Sequence, residues 1–203
     1  MSGRVDADAG IDLYWLPLGA DGRVIKPVGI AYEALAARVA SRRRFDLYHA
    51  ALEVRTPEAR FVVEAMPSVF GRAARAGGGV IADGPMAVPH ARRFGLLRYE
   101  LRCWRDGTIA DSDYAVESPL RVSDDARAAG KLLELARSVP MCTWGRDELG
   151  AGEMWTSNSV VAWLVARALS VDGEVQPPAG GRAPGWSAGL RIAAREATGR
   201  ERR

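Results

Sequence analysis

A chain of 203 residues, 48% hydrophobic and 26% charged, is long enough to build one domain around a sizeable core, and this balance excludes a disordered or fibrous protein. No apolar run approaches the roughly 18–20 residues that span a bilayer. Residues 1–10 lack the apolar segment of a secretory leader, and two cysteines, Cys103 and Cys142, are too few for a disulfide scaffold. A cytoplasmic protein is expected. The pI of about 9.1 points toward nucleic acid, but six Arg against two Glu in residues 182–203 leave residues 1–181 at −1 of the net +3. The charge pattern predicts a near-neutral domain over 1–181 and a basic C-terminal tail over 182–203, capable of weak, non-specific contact with phosphates.

Ile11 to Leu18 reads as a first strand, closed by the turn residues Gly19-Ala20-Asp21-Gly22. Tyr32, Leu35 and Val39 recur at helical spacing over 30–44, with Arg42-Arg43-Arg44 where cations suit the helix dipole. Asp46 to Arg55 and Arg60 to Met66 then alternate at period two around the turn Thr56-Pro57-Glu58-Ala59. If Arg55 and Arg60 close that turn, Leu52 opposes Val63 and Val54 opposes Phe61, so both apolar sets share one face. Gly71 to Gly79 reads as a loop, with a short strand over Gly79 to Ala82. Phe94 to Arg105 reads as a strand ending at Asp106-Gly107. Asp124 to Ser138 reads as a helix capped by Asp124 or Asp125, and Ser157 to Leu169 as the most apolar helix. Gln176 to Gly181 marks a linker, beyond which G-R-A-P-G-W-S-A-G-L predicts a defined turn that docks Trp186. The order of elements predicts an α+β fold with an antiparallel sheet packed on a central buried helix.

The register that buries Leu52 and Val63 turns His49 and Glu64 together to the opposite face, as diagonal neighbours on adjacent strands. A carboxylate there fixes the tautomer of the imidazole and supports the imidazolium formed when it takes a proton. The missing partner is a nucleophile. Ser157 and Ser159, in T-S-N-S at the head of the apolar helix, are candidates, because a helix N-terminus supplies free N–H groups and the positive dipole end to a developing anion. The same four residues are all good N-caps, which explains such a run equally well. Cys142, on a segment before that helix, is the alternative nucleophile or an incidental thiol.

A strand with H-A-A-L-E-V, a strand with V-V-E-A-M-P and a downstream G-G-G-V-I resemble the circularly permuted branch of the papain-like (NlpC-type) superfamily, over roughly residues 46–170. In that branch the His strand comes first, a polar orienting residue follows on the next strand, and a nucleophilic Cys opens a helix with a motif near N-C-x-x-F or C-S-E-L-V. Laid over T-S-N-S-V-V, the resemblance puts Ser157 at the Cys position and Val160 at the hydrophobic position three residues on; Ser159 would put Ala162 there. It implies a hydrolase or acyltransferase acting on an amide or ester through an acyl intermediate, with Ser157 as nucleophile, His49 as base and Glu64 as orienting carboxylate. The serine is the departure. A hydroxyl depends on a well-placed base far more than a thiol does, so a catalytically silent binding relative is the alternative.

No metal or cofactor is expected. Two His and two Cys stand at unrelated spacings, and Gly77-Gly78-Gly79 runs into Val80-Ile81 instead of Lys-Ser/Thr. His90 reads as a surface residue. A small-molecule, peptide or lipid-like substrate would be compatible with the site.

Overall fold

Alternating apolar residues in the strand segments favour a sheet that turns one face to the main core. A computed structural model describes residues 9–18, 46–68, 78–90, 97–169 and 175–201. The helix expected over 30–44 and the loop over 71–77 lie outside the described residues. The strands are β1 (Gly10–Pro17), β2 (Asp46–Arg55), β3 (Arg60–Pro67), β4 (Gly78–Pro85), β5 (Arg98–Arg105) and β6 (Val116–Ser123). They are followed by helices α1 (Ala126–Leu135) and α2 (Ser157–Leu169), the two-residue strand β7 (Gly181–Arg182) and helix α3 (Trp186–Glu201). Among the described residues one seven-stranded sheet runs β4-β5-β3-β2-β1-β6, antiparallel along this path, while β7 pairs with β2 in parallel. The class is α+β.

The β2–β3 register is the one the turn predicts: Leu52 faces Val63, Val54 faces Phe61 and Arg55 faces Arg60. One face of the sheet carries Ile11, Leu13, Trp15, Leu52, Val54, Val63 and Leu101, which meet Val160, Val161 and Leu164 of α2 in the main core. Each such side chain contributes about 1.5–3 kcal/mol on burial. All nine residues from Ser157 to Val165 are buried, as expected for a helix that is apolar on every side; α2 packs on β2, β3, α1 and α3. The other face holds a smaller cluster of Leu16, Ala51, Val62, Trp104 and Ile109. At α1 the cap is Asp125, whose carboxylate accepts from Arg127 N–H at 2.8 Å.

Two elements depart from the sequence reading. The edge strand β6, V-E-S-P-L-R-V-S, has no clean alternation and carries Pro119 in its middle. An edge strand tolerates proline because one side of its ladder has no partner, and β6 meets β1 through register shifts. The second departure is the expected basic tail. Residues Gly181–Glu201 form β7 and α3, and Trp186 is buried edge-on against Trp15 with ring centroids 4.7 Å apart. Three of the arginines read as tail charge are engaged internally. Arg182 pairs with Glu153 at 3.0 Å, Arg191 donates to Ala151 O, and Arg195 donates to Leu149 O and Gly150 O at 2.8 and 2.9 Å.

Gly189 explains why α3 escapes a propensity reading. Glycine disfavours a helix interior, yet a Cβ at this position would lie 2.2 Å from Ser159 O and 2.8 Å from Ala162 Cβ. The missing side chain lets α3 approach α2 closely. Gly189→Val is expected to cost about 1–3 kcal/mol by overpacking and to lower the melting temperature; a melt superimposable on the parent's would refute the close-contact account.

Candidate functional site

The head of α2 separates the four polar residues T-S-N-S by task. Thr156 is the cap: its Oγ1 accepts from Asn158 N–H at 3.1 Å, and its carbonyl accepts from Ser159 N–H at 3.1 Å. Ser159 returns the favour three residues on, its Oγ accepting from Thr156 N–H at 2.9 Å and donating to Gly185 O at 2.7 Å. This reciprocal pattern is a capping box with Ser in the place of the usual Glu or Gln. The Pro184–Gly185 segment clamps the turn from outside, Pro184 O accepting from Thr156 Oγ1 at 2.6 Å and from Asn158 Nδ2 at 3.1 Å. Gly185 has φ +87°, and a Cβ on it would meet Ser159 Oγ and Thr156 Oγ1 at 2.5 Å, so only glycine fits the clamp without strain. Capping therefore uses Thr156 and Ser159 and leaves Ser157 available.

The sheet opens where Ser157 arrives. Paired residues of β2 and β3 run from Arg55↔Arg60 to Leu52↔Val63, and beyond that β3 continues with β5 alone as far as Pro67. In the gap, the Asn158 side chain accepts from Ala50 N–H at 2.9 Å and donates to Tyr48 O at 3.0 Å. Still further along β2, Asp46 and Leu47 pair with β7. The helix that packs on one face of the sheet thus delivers its first residue into the opening between two strands, and reaches side chains of the other face.

There Ser157 Oγ lies 3.1 Å from His49 Nδ1, and His49 Nε2 lies 2.8 Å from Glu64 Oε1. A carboxylate accepts only, so Nε2 carries the imidazole proton and donates it to Glu64. Nδ1 then presents its lone pair to the Ser157 hydroxyl. The ring is used in the opposite sense to trypsin-type serine proteases, where Nε2 faces the serine and Nδ1 the carboxylate. Ser157 is 4% exposed, and the side chains of Glu64 and His49 are 10% and 17% exposed, so the histidine is the most open member. Ser157 N–H has no hydrogen-bond partner among the described residues and sits at the positive end of a 13-residue helix.

On β5 directly opposite Glu64 stands Arg102. It is 2% exposed and directs its guanidinium to Glu100, Nη2 and Nε lying 2.6 and 3.1 Å from Oε2. Glu64 is left to His49.

The other sequence candidates lie elsewhere. Ser159 is fully buried with its hydroxyl committed to the cap. Cys142 is half-buried, and burial, reinforced by the nearby Glu148 carboxylate, pushes its thiol up to about 11; at neutral pH it stays protonated, the inert form. Burial also raises the Cys103 thiol. His90 is exposed, and Gly78 and Gly79 belong to β4. Among the described residues no group of three His, Cys, Asp or Glu is placed to hold a metal ion, and no helix is long and apolar enough to cross a membrane. A polar cavity of about 340 Å³ lined by Glu153, Gln176, Arg182, Trp186, Ser187 and Arg191 adjoins the clamp segment, without including the Ser–His–Glu group. Sequence reasoning missed Asn158 as anything beyond a potential cap; its bonds to β2 depend on a contact 108 residues away. Compared with protein-family models, curated proteins and solved structures, the chain has no significant match, so the site rests on its own geometry.

Proposed function

We propose that the chain is a hydrolase or acyltransferase of the permuted papain-like type, acting on an amide or ester through an acyl intermediate on Ser157. The observation that carries this reading is the continuous hydrogen-bonded relay from Ser157 Oγ through His49 to Glu64, built from residues 15 and 108 positions apart from the histidine. Order along the chain, with the His strand first, the carboxylate on the next strand and the nucleophile at a helix head, also supports it.

In the proposed reaction His49 Nδ1 takes the Ser157 proton as Oγ bonds to the substrate carbonyl carbon. Glu64 holds the Nε2–H and offsets the imidazolium charge. The oxyanion forms beside the Ser157 N–H and the helix dipole. Collapse breaks the bond to the leaving amine or alcohol, which takes the proton from Nδ1. A water or an acceptor hydroxyl or amine then attacks the Ser157 ester, giving its proton to Nδ1; collapse breaks the Oγ–acyl bond, Ser157 Oγ takes that proton back from Nδ1, and the acyl product leaves.

The test is exposure to fluorophosphonate, β-lactone and activated-ester probes, followed by peptide mapping of the adduct. Modification at Ser157 is the expected result. No adduct in any of the three classes, or an adduct only at another residue, would favour the second reading, a binding protein that keeps the cleft without the chemistry. One observation speaks for that second reading: a hydroxyl stands where the resembled family uses a thiol.

A further inference from the structure

The relay depends on holding two backbones together, that of β2 on either side of His49 and that of α2 beside Ser157. At this point β2 pairs with β1 on one side but has no ladder on the other, because β3 has left β2 after Leu52↔Val63. Tyr48 O and Ala50 N–H, the groups flanking His49, point into the opening between the strands. Both are satisfied by one side chain, Asn158, which is 3% exposed and adjacent to Ser157 in sequence. A carboxamide presents its carbonyl oxygen and one N–H along the same edge, and keeps a second N–H for another partner. Asn158 thus fills on β2 the hydrogen bonds that β3 leaves unmade, while its second N–H reaches Pro184 O at 3.1 Å.

We propose that Asn158 is the positioning residue of the site, its amide supplying the hydrogen-bond partners that β2 lacks on either side of His49, so that His49 Nδ1 is held within hydrogen-bond reach of Ser157 Oγ. The inference rests on reading Ser157 and His49 as nucleophile and base. Asp in this place lacks the donors for Tyr48 O and Pro184 O, and Ser is too short to span both β2 groups. The neighbouring polar residues cannot substitute, since Thr156 and Ser159 are bound to each other and to the Pro184–Gly185 carbonyls.

A purely structural asparagine and a positioning one differ in what they do to proton transfer between the two side chains. Ser157→Cys converts that transfer into a spectroscopic signal, because a thiol next to a poised imidazole ionises as a thiolate–imidazolium pair well below the ordinary cysteine range. Ultraviolet thiolate absorbance against pH is measured in the full chain carrying Ser157→Cys, with and without Asn158→Ala. The expected result is a low thiol titration with Asn158 present, and a return toward the ordinary range with Asn158→Ala, lowering the neutral-pH thiolate fraction about tenfold or more. Should Asn158→Ala prevent folding, Asn158→Ser, which is neutral and too short to span both β2 groups, is read in the same way. As a comparison, Ile11→Ala truncates the core at the opposite end of the β1–β2 ladder from His49 and is expected to lower stability without moving the titration. A low titration that survives Asn158 replacement overturns the positioning role and leaves the Ser157–His49 reading intact. An equal shift caused by Ile11→Ala reduces Asn158 to general stability and overturns the role as well. An ordinary titration even with Asn158 in place shows that no base is poised, and removes both the inference and the reading beneath it.

Discussion

His49→Ala is expected to slow acylation of Ser157 by about 100- to 10,000-fold, the range lost when a positioned general base is removed. Among the described residues Ser157 Oγ has one basic neighbour in hydrogen-bond reach, His49 Nδ1 at 3.1 Å, and a serine hydroxyl is a poor nucleophile without such a partner. The measurement is the single-turnover rate of adduct formation with a fluorophosphonate, the adduct mapped to Ser157 in both chains. Glu64→Ala should lose less than His49→Ala, because the base remains but its tautomer and orientation are released. Labelling of Ser157 in His49→Ala within about tenfold of the parent would mean that the hydroxyl reacts without the base, and the relay would then be a hydrogen-bond network of the fold.

The largest effect on stability is expected at Glu100. Arg102 is 2% exposed, and Glu100, itself 5% exposed, accepts both of its donated hydrogen bonds to a carboxylate. Glu100→Ala leaves a guanidinium buried without its counter-charge, which costs about 3–5 kcal/mol. For a chain of this size that corresponds to a fall in melting temperature of about 6–20 °C. The paired replacement Glu100→Leu with Arg102→Met should recover most of the loss, because apolar side chains of similar volume avoid the desolvation of two charges. Thermal or denaturant unfolding of the parent and the two variants checks both statements. A loss below about 1 kcal/mol for Glu100→Ala would show that Arg102 finds water or another partner. The site has a stake in this pair: Arg102 faces Glu64 across β3 and β5, and the carboxylate of Glu100 keeps its guanidinium engaged there.

The two halves of the candidate site were unequally legible. His49 and Glu64 could be placed on one face because period two and a four-residue turn determine the register, and that register is observed pair for pair from Arg55↔Arg60 to Leu52↔Val63. Ser157 was harder, since Thr156, Ser157, Asn158 and Ser159 share the same local propensity for capping. The clamp from Pro184 and Gly185 separates them, by engaging Thr156, Asn158 and Ser159. Helix α3 escaped for a related reason. Gly189 reads as a helix breaker until Ser159 O is found 2.2 Å from the place a Cβ would take.

By itself the sequence determined what depends on spacing along the chain: the α+β class, the β2–β3 register, the boundaries of α2, and the shared face of His49 and Glu64. Period and turn chemistry act over a few residues, so they survive without tertiary context. Only the tertiary structure decided which serine meets the histidine, what becomes of the C-terminal arginines and what fills the opening between β2 and β3. Those outcomes depend on backbone groups left without ladder partners, and a buried N–H or carbonyl takes its partner from whatever the fold brings near. Here that partner is Asn158, and it brings Ser157 with it.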